Sequence, residues 1–149
     1  MHTITADTVS VTSERALMEL GRFFQLHADR TRNGDTAFMP MFSERIDATW
    51  HDLKTDPHAY KAFCAEHAGR SVTHLSTTGT GTVPWVTEYE ETFGATLPVV
   101  WFASVDGRID RDAYDRYLKT GAVKASWNCG PSTGDGDGSL TGPEQDTGR

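Results

Sequence analysis

The sequence predicts an all-α fold, with about five helices in one compact domain. Apolar residues recur at intervals of three and four in several windows, and helix-capping residues and glycines flank those windows. The alternation typical of paired strands is not evident. A chain of 149 residues with 37% hydrophobic residues is also the size of one domain with one modest core.

The composition divides the chain into three parts. We assign residues 1–10 to a flexible N-terminus, residues 11–128 to the helical domain and residues 129–149 to an acidic, Gly-rich disordered tail. From Gly130 onward, Leu140 is the only large apolar residue. Such a segment cannot bury enough surface to offset its ordering entropy.

The tail also contains a partial calcium-loop pattern between Thr133 and Glu144. Thr133 stands where such a loop has its first Asp, and Pro143 interrupts the helix that should follow. We therefore favour a solvated acidic linker over a calcium site.

The first two predicted helices each have a cap and an apolar stripe. The first begins at a cap at Thr12 or Ser13 and runs to about Asp29. Its stripe consists of Leu17, Leu20 and Phe24. The second begins after a cap at Ser43, and its stripe consists of Ile46, Trp50 and Leu53.

The third helix has the clearest boundaries. Asp56 is a good N-cap and Pro57 is well suited to the first helical turn, while Gly69 can adopt the left-handed conformation that ends a helix. One face carries Tyr60, Phe63, Cys64 and His67. Residues 71–82 are too rich in Gly and Thr for a helix and form a long extended segment or loop.

The remaining helices follow the same logic. Pro84 opens a fourth helix that Gly94 ends, and Asp110 caps a fifth that ends before Gly121. Between them, residues 97–102 form a short apolar run whose proline favours an edge or an extended strap.

The central part of the chain carries an ordered set of residues: Asp47, Trp50, His51, Tyr60, Phe63, Cys64, Gly69, Arg70 and His74. This order resembles the Asp-x-x-Trp-His, Tyr-x-x-Phe-Cys and Gly-Arg-Phe-x-His-His segments of the bacterial branch of the glycine-rich-domain protein family. The match spans residues 43 to 102. Leu53 stands where some members have His, and Thr73 replaces the first His of the pair. The resemblance implies a fold and a set of positions, but no particular reaction.

Three histidines, His51, His67 and His74, are the candidate site residues. If they converge they could bind zinc, the candidate cofactor. In a metal-free alternative, His51 or His74 acts as an acid or base and Asp47, four residues before His51, orients the imidazole. The third interpretation is structural, with the imidazoles bonded to main-chain oxygens. Cys64 lies on a buried stripe and is better interpreted as a core residue than as a nucleophile.

Charge and hydropathy exclude several function classes. The net charge of −7 and the lack of a Lys/Arg cluster argue against nucleic acid as a partner. No window is apolar enough for a membrane span and the N-terminus is not a secretory signal, so we expect a cytoplasmic protein. Cys64 and Cys129 lie far apart in the sequence, which favours two reduced thiols.

Two functions remain after these exclusions. The first is a small accessory protein that binds a peptide or small molecule through a histidine-lined pocket. The alternative is a small non-redox enzyme that uses acid/base or zinc-assisted chemistry on such a substrate. Phe38 and Trp127 exceed the needs of a small core, which makes a homodimer a candidate assembly.

Overall fold

A computed structural model describes residues 3–132 of the chain, with side chains from residue 13 onward. Within these residues the order of elements is α1 (Thr3–Arg32), α2 (Glu44–Lys54), α3 (Pro57–His67), β1 (Thr73–Thr82), α4 (Val86–Phe93), a 3-10 helix (Val99–Phe102), α5 (Arg111–Thr120) and β2 (Lys124–Ser132). None of the helices in this described part is both long and apolar enough to span a lipid bilayer.

The all-α prediction is wrong, because β1 and β2 pair as a two-stranded antiparallel sheet. The fold is mixed α/β. The Thr-rich sequence of β1 suits a strand, because Thr is β-branched and packs well on a pleated surface. The partner strand lies some fifty residues further along the chain, so no short hairpin turn marks the pairing in the sequence.

The bounds of several elements also differ from those predicted. Helix α1 begins at Thr3, not at Thr12 or Ser13, and continues to Arg32. Strand β2 extends through Ser132, so residues 129–132, which the sequence analysis placed in the tail, pair with β1. Residues 133–149, including the partial calcium loop, lie outside the described residues. The run predicted as a strap forms a 3-10 helix.

The predicted caps of three helices are confirmed. The side chains of Ser43, Asp56 and Asp110 each accept a hydrogen bond from the main-chain N–H three residues later. Each of these bonds satisfies one of the N–H groups that a helix start leaves without a partner. At the other end, Gly94 and Gly121 adopt the left-handed conformation, with φ of 69° and 78°.

The core is built around α1 and is rich in aromatic residues. Phe23 of this helix contacts three fully buried indoles, those of Trp50, Trp85 and Trp101, with ring centroids 5.2–6.2 Å away. Glu19 lies in the same core and is 1% exposed. Its carboxylate accepts hydrogen bonds from Tyr89 and Trp101, which offsets part of the cost of burying the charge.

Candidate metal centre

Two elements bring the candidate site residues together. Asp47 and His51 lie one turn apart on α2 and therefore on the same face of the helix. His74 comes from the start of β1. The buried ring of Trp50, also on α2, contacts the His74 ring edge-on at a centroid distance of 4.5 Å.

The geometry centres on the Asp47 carboxylate. Its Oδ1 lies 3.2 Å from Nε2 of His74, and its Oδ2 lies 3.5 Å from Nε2 of His51. The two imidazole centroids are 4.5 Å apart, and one ligand atom from each of the three residues lies within 4.8 Å of the others. Metal–ligand bonds of about 2.0–2.1 Å at tetrahedral angles place neighbouring ligand atoms roughly 3.3–3.4 Å apart. The two contacts with Asp47, at 3.2 and 3.5 Å, bracket that spacing.

The site is graded from buried to exposed. The His74 side chain is 8% exposed, Asp47 is half-buried, and the His51 side chain is 56% exposed. His74 therefore anchors the cluster in the protein interior, and His51 lies on the solvent side, where a ligand would enter.

Cys129 of β2 is a fourth group at this site. Its Sγ lies 3.2 Å from Oδ1 of Asp47, and the residue is 3% exposed. Sequence analysis missed this residue because it assigned Cys129 to the tail. The alternation of Ala125, Trp127 and Cys129 with polar neighbours was the available signal, since it is the period of a strand with one buried face.

Contacts within the site shift the pKa values of Asp47 and Cys129. Burial would raise the pKa of Asp47, but hydrogen bonds with His74 and Cys129 and the nearby His51 outweigh it, so the pKa lies below its ordinary value. Burial, together with the Asp47 charge, strongly raises the pKa of the Cys129 thiol. Without a metal ion, the stable form is a carboxylate facing a protonated thiol.

A chain of hydrogen bonds connects the elements that carry the site. Nε1 of Trp50 donates to the Tyr60 hydroxyl at 3.1 Å, and that hydroxyl donates to the carbonyl oxygen of Val72 at 2.5 Å. Val72 directly precedes β1. This chain therefore links α2 and α3 to the residue from which the His74 strand starts.

His67 lies elsewhere. Its ring contacts Phe63 at a centroid distance of 4.3 Å and covers Gly21 of α1, where a Cβ atom would lie 2.8 Å from the ring. It is not a member of the Asp47–His51–His74 cluster. The structure thus places Asp47, not His67, beside the two imidazoles, and His67 serves the packing of α3 on α1.

Cys64 also lies apart from the cluster. It is buried on α3, and burial raises the pKa of its thiol, which suits a core residue better than a nucleophile. Both cysteines are free.

A cavity of about 460 Å³ is lined mainly by residues of the 3-10 helix, the loop before α5 and the start of β2. None of the three predicted site histidines lines it. The Asp47 cluster and this cavity are therefore separate features of the described domain.

Comparisons of the chain with protein-family models, curated proteins and solved structures found no significant match. The resemblance to the glycine-rich-domain family stays a prediction based on the residues quoted above.

Proposed function

We propose that this domain binds a divalent transition-metal ion, with zinc as the reference case, through Asp47, His51 and His74. The spacing of their ligand atoms, all within 4.8 Å of one another, is the observation that carries the proposal. Two imidazoles and one carboxylate form a donor set used by zinc centres, in which further coordination positions stay open. Charge supports it as well, because Asp47 is ionised and each imidazole can bind metal in its neutral form.

Such a centre has a defined chemistry. A bound metal ion acts as a Lewis acid and lowers the pKa of a coordinated water or polarises a substrate carbonyl. The exposed side of His51 offers a peptide or small molecule access to the ion. Metal binding is therefore the common basis of the two functions predicted from the sequence, the accessory protein and the zinc-assisted enzyme.

Metal-free acid/base chemistry is the second candidate. Nε2 of both imidazoles faces the Asp47 carboxylate, which can fix the orientation of either ring. In this alternative His51, the exposed ring, exchanges the proton with a substrate, and Asp47 positions it.

The test is the metal content and zinc affinity of the full chain purified without a histidine tag. We expect one zinc ion per chain, and Asp47→Asn, His51→Ala and His74→Gln should each weaken binding by at least about 100-fold, since even losing a group outside the ligand shell costs 10–100-fold. His58→Ala, a substitution of an exposed histidine on α3, is the matched control and should bind normally.

Circular dichroism of each variant separates loss of a ligand from loss of the fold. A folded wild-type chain that binds no zinc would overturn the proposal and favour the metal-free alternative. Unchanged zinc affinity in all three folded variants would place any metal elsewhere and would equally reject this site.

A further inference from the structure

We infer that Cys129 supplies a fourth, sulfur ligand to the metal centre, which makes the site a closed one that prefers thiophilic ions. This inference rests on the proposed function and refines it, because the fourth ligand decides what kind of metal site this is.

The contacts of Asp47 point to Cys129. Its Oδ1 lies 3.2 Å from Sγ of Cys129 and 3.2 Å from Nε2 of His74, so the same oxygen touches a sulfur donor and a nitrogen donor. In a tetrahedral zinc site with Zn–S of about 2.3 Å and Zn–O of about 2.0 Å, sulfur and oxygen lie roughly 3.5 Å apart. The present contact is close to that spacing.

The sheet register places the sulfur on the correct face. His74 pairs with Pro131 and Ser76 pairs with Cys129 in the antiparallel ladder. Residues two apart on a strand share a face, and directly paired residues share one too. Cys129 and His74 therefore project from the same face of the two-stranded sheet, as diagonal neighbours facing Asp47.

A four-ligand shell requires the side chains of the site to rearrange when the metal binds. The cluster within 4.8 Å contains Asp47, His51 and His74 but not Cys129. His74 and Cys129 are buried, whereas the His51 side chain is 56% exposed and faces the solvent. No group of three described residues within this distance includes Cys129, so Sγ and both imidazoles must move toward one another when the metal binds, and the exposed ring of His51 is the freest of them to do so.

The chemistry of ligation is balanced without any redox partner. The Cys129 S–H bond breaks, its proton leaves to solvent, and a metal–sulfur bond forms while the hydrogen bond with Asp47 is lost. A shell of two nitrogens, one oxygen and one sulfur suits Zn²⁺ and Co²⁺ and disfavours Mg²⁺ and Ca²⁺, which prefer oxygen ligands. Four protein ligands are typical of structural zinc sites, so a structural metal ion is favoured over an ion that a substrate can reach.

The experiment uses the full chain loaded with Co²⁺. Visible d–d bands report binding itself, and a sulfur-to-cobalt charge-transfer band in the near-ultraviolet reports the Cys129 ligand. We expect both in the wild type. Cys129→Ser should abolish the charge-transfer band, keep d–d bands and weaken binding by at least about 100-fold, as expected for the loss of a direct ligand. Cys64→Ser, which changes the other buried thiol, is the matched control and should keep both.

Two outcomes would overturn the inference. The first is d–d bands without a charge-transfer band in the wild type, and the second is a charge-transfer band that survives Cys129→Ser. The first leaves the three-ligand proposal intact. The second would place the metal at Cys64, apart from the cluster, and would count against the three-ligand proposal too, as would the absence of all cobalt bands from the folded chain. X-ray absorption of the zinc-loaded wild type tests the same point without a variant, since a sulfur ligand gives a distance of about 2.3 Å.

Discussion

The imidazole of His74 lies edge-on against the indole of Trp50, with 4.5 Å between the ring centroids. Trp50 is fully buried and also packs against Phe23 and Phe24 of α1. One face of the candidate centre is thus the outer surface of the hydrophobic core. Changes in the core beneath Trp50 should therefore reach the site through the position of this ring.

Removing the Tyr60 hydroxyl should loosen the site from a distance. Tyr60→Phe leaves the indole N–H of Trp50 and the carbonyl of Val72 without the partner they share. We expect a loss of about 1–3 kcal/mol in the free energy of unfolding, measured by urea denaturation, together with weaker zinc binding. Tyr114→Phe is the control, because the Tyr114 hydroxyl bonds no other described residue. Equal losses for the two variants would contradict this explanation.

The buried carboxylate of Glu19 should be among the most sensitive positions in the core. Glu19→Ala removes the acceptor of the Tyr89 hydroxyl and of the Trp101 indole N–H, and it removes the carboxylate that lies 3.6 Å from Arg22. We expect a loss of about 3 kcal/mol or more. Glu19→Gln keeps an acceptor and should lose less. Glu14→Ala, on the exposed face of the same helix, should change the urea midpoint little, and a matching loss there would refute the argument.

Gly21 and His67 should show coupled effects on stability. Alanine at position 21 raises helix propensity by about 1 kcal/mol, but its Cβ would lie 2.8 Å from the His67 ring. Gly21→Ala should therefore stabilise the protein only in the His67→Ala background. A double-mutant cycle measured by denaturation should give a coupling energy of at least about 0.5 kcal/mol. Additive effects would mean that the ring moves aside without cost.

His27 should make the protein less stable in mild acid. Burial and the charges of Arg70 and Arg30 lower its pKa from 6.5 to about 4. Between these values the unfolded chain binds the proton and the folded chain does not, so stability is present above pH 6.5 and is lost as the pH falls toward 4. Allowing for its partial exposure, we expect the loss to be about 1–2 kcal/mol.

Urea unfolding of the wild type and of two variants at pH 7 and pH 4.5 isolates this effect. His27→Met should reduce the difference between the two pH values, and it also removes an Nε2 that is buried without a partner. His58→Met changes an exposed histidine and should leave the difference as it is. If both variants behave like the wild type, His27 does not drive the acid sensitivity.

Zinc should stabilise the folded chain by mass action. An ion that binds only the folded state adds about 2.7 kcal/mol at a hundredfold excess over Kd, which corresponds to several degrees in Tm for a domain of this size. A chelator should reverse the shift, and His74→Gln should abolish it. A shift that persists in His74→Gln would indicate binding at another position.

The sequence predicts local features well and long-range pairing poorly. The caps at Ser43, Asp56 and Asp110 are recognisable because each satisfies N–H groups within its own first turn. The sheet is not recognisable in this way, because Thr73 pairs with Ser132, and α4 and α5 lie between these two residues in the sequence. The all-α prediction arose because β1 was interpreted as a loop or extended segment and the end of β2 as part of the tail.

The candidate site shows the same division. Asp47 and His51 can be associated from their spacing on one helix, which is a local relationship. The approach of His74 depends on where residues 71–82 run, and that of Cys129 on a strand that sequence analysis did not recognise. His67 was a reasonable candidate by residue type, but its helix face packs on Gly21.

The irregular register between Ser76 and Gly79 has a consequence for the site. At this bulge the indole of Trp127 occupies the space where any other residue at position 79 would have its Cβ. This contact opposes sliding of the two strands, and a slip of one residue would put His74 and Cys129 on opposite faces of the sheet, so that only one of them could face Asp47. Gly79 thus helps to set the spacing of the donor atoms although it contacts none of them. A one-residue insertion in the β1–β2 sheet would separate the metal ligands while leaving the helices in place.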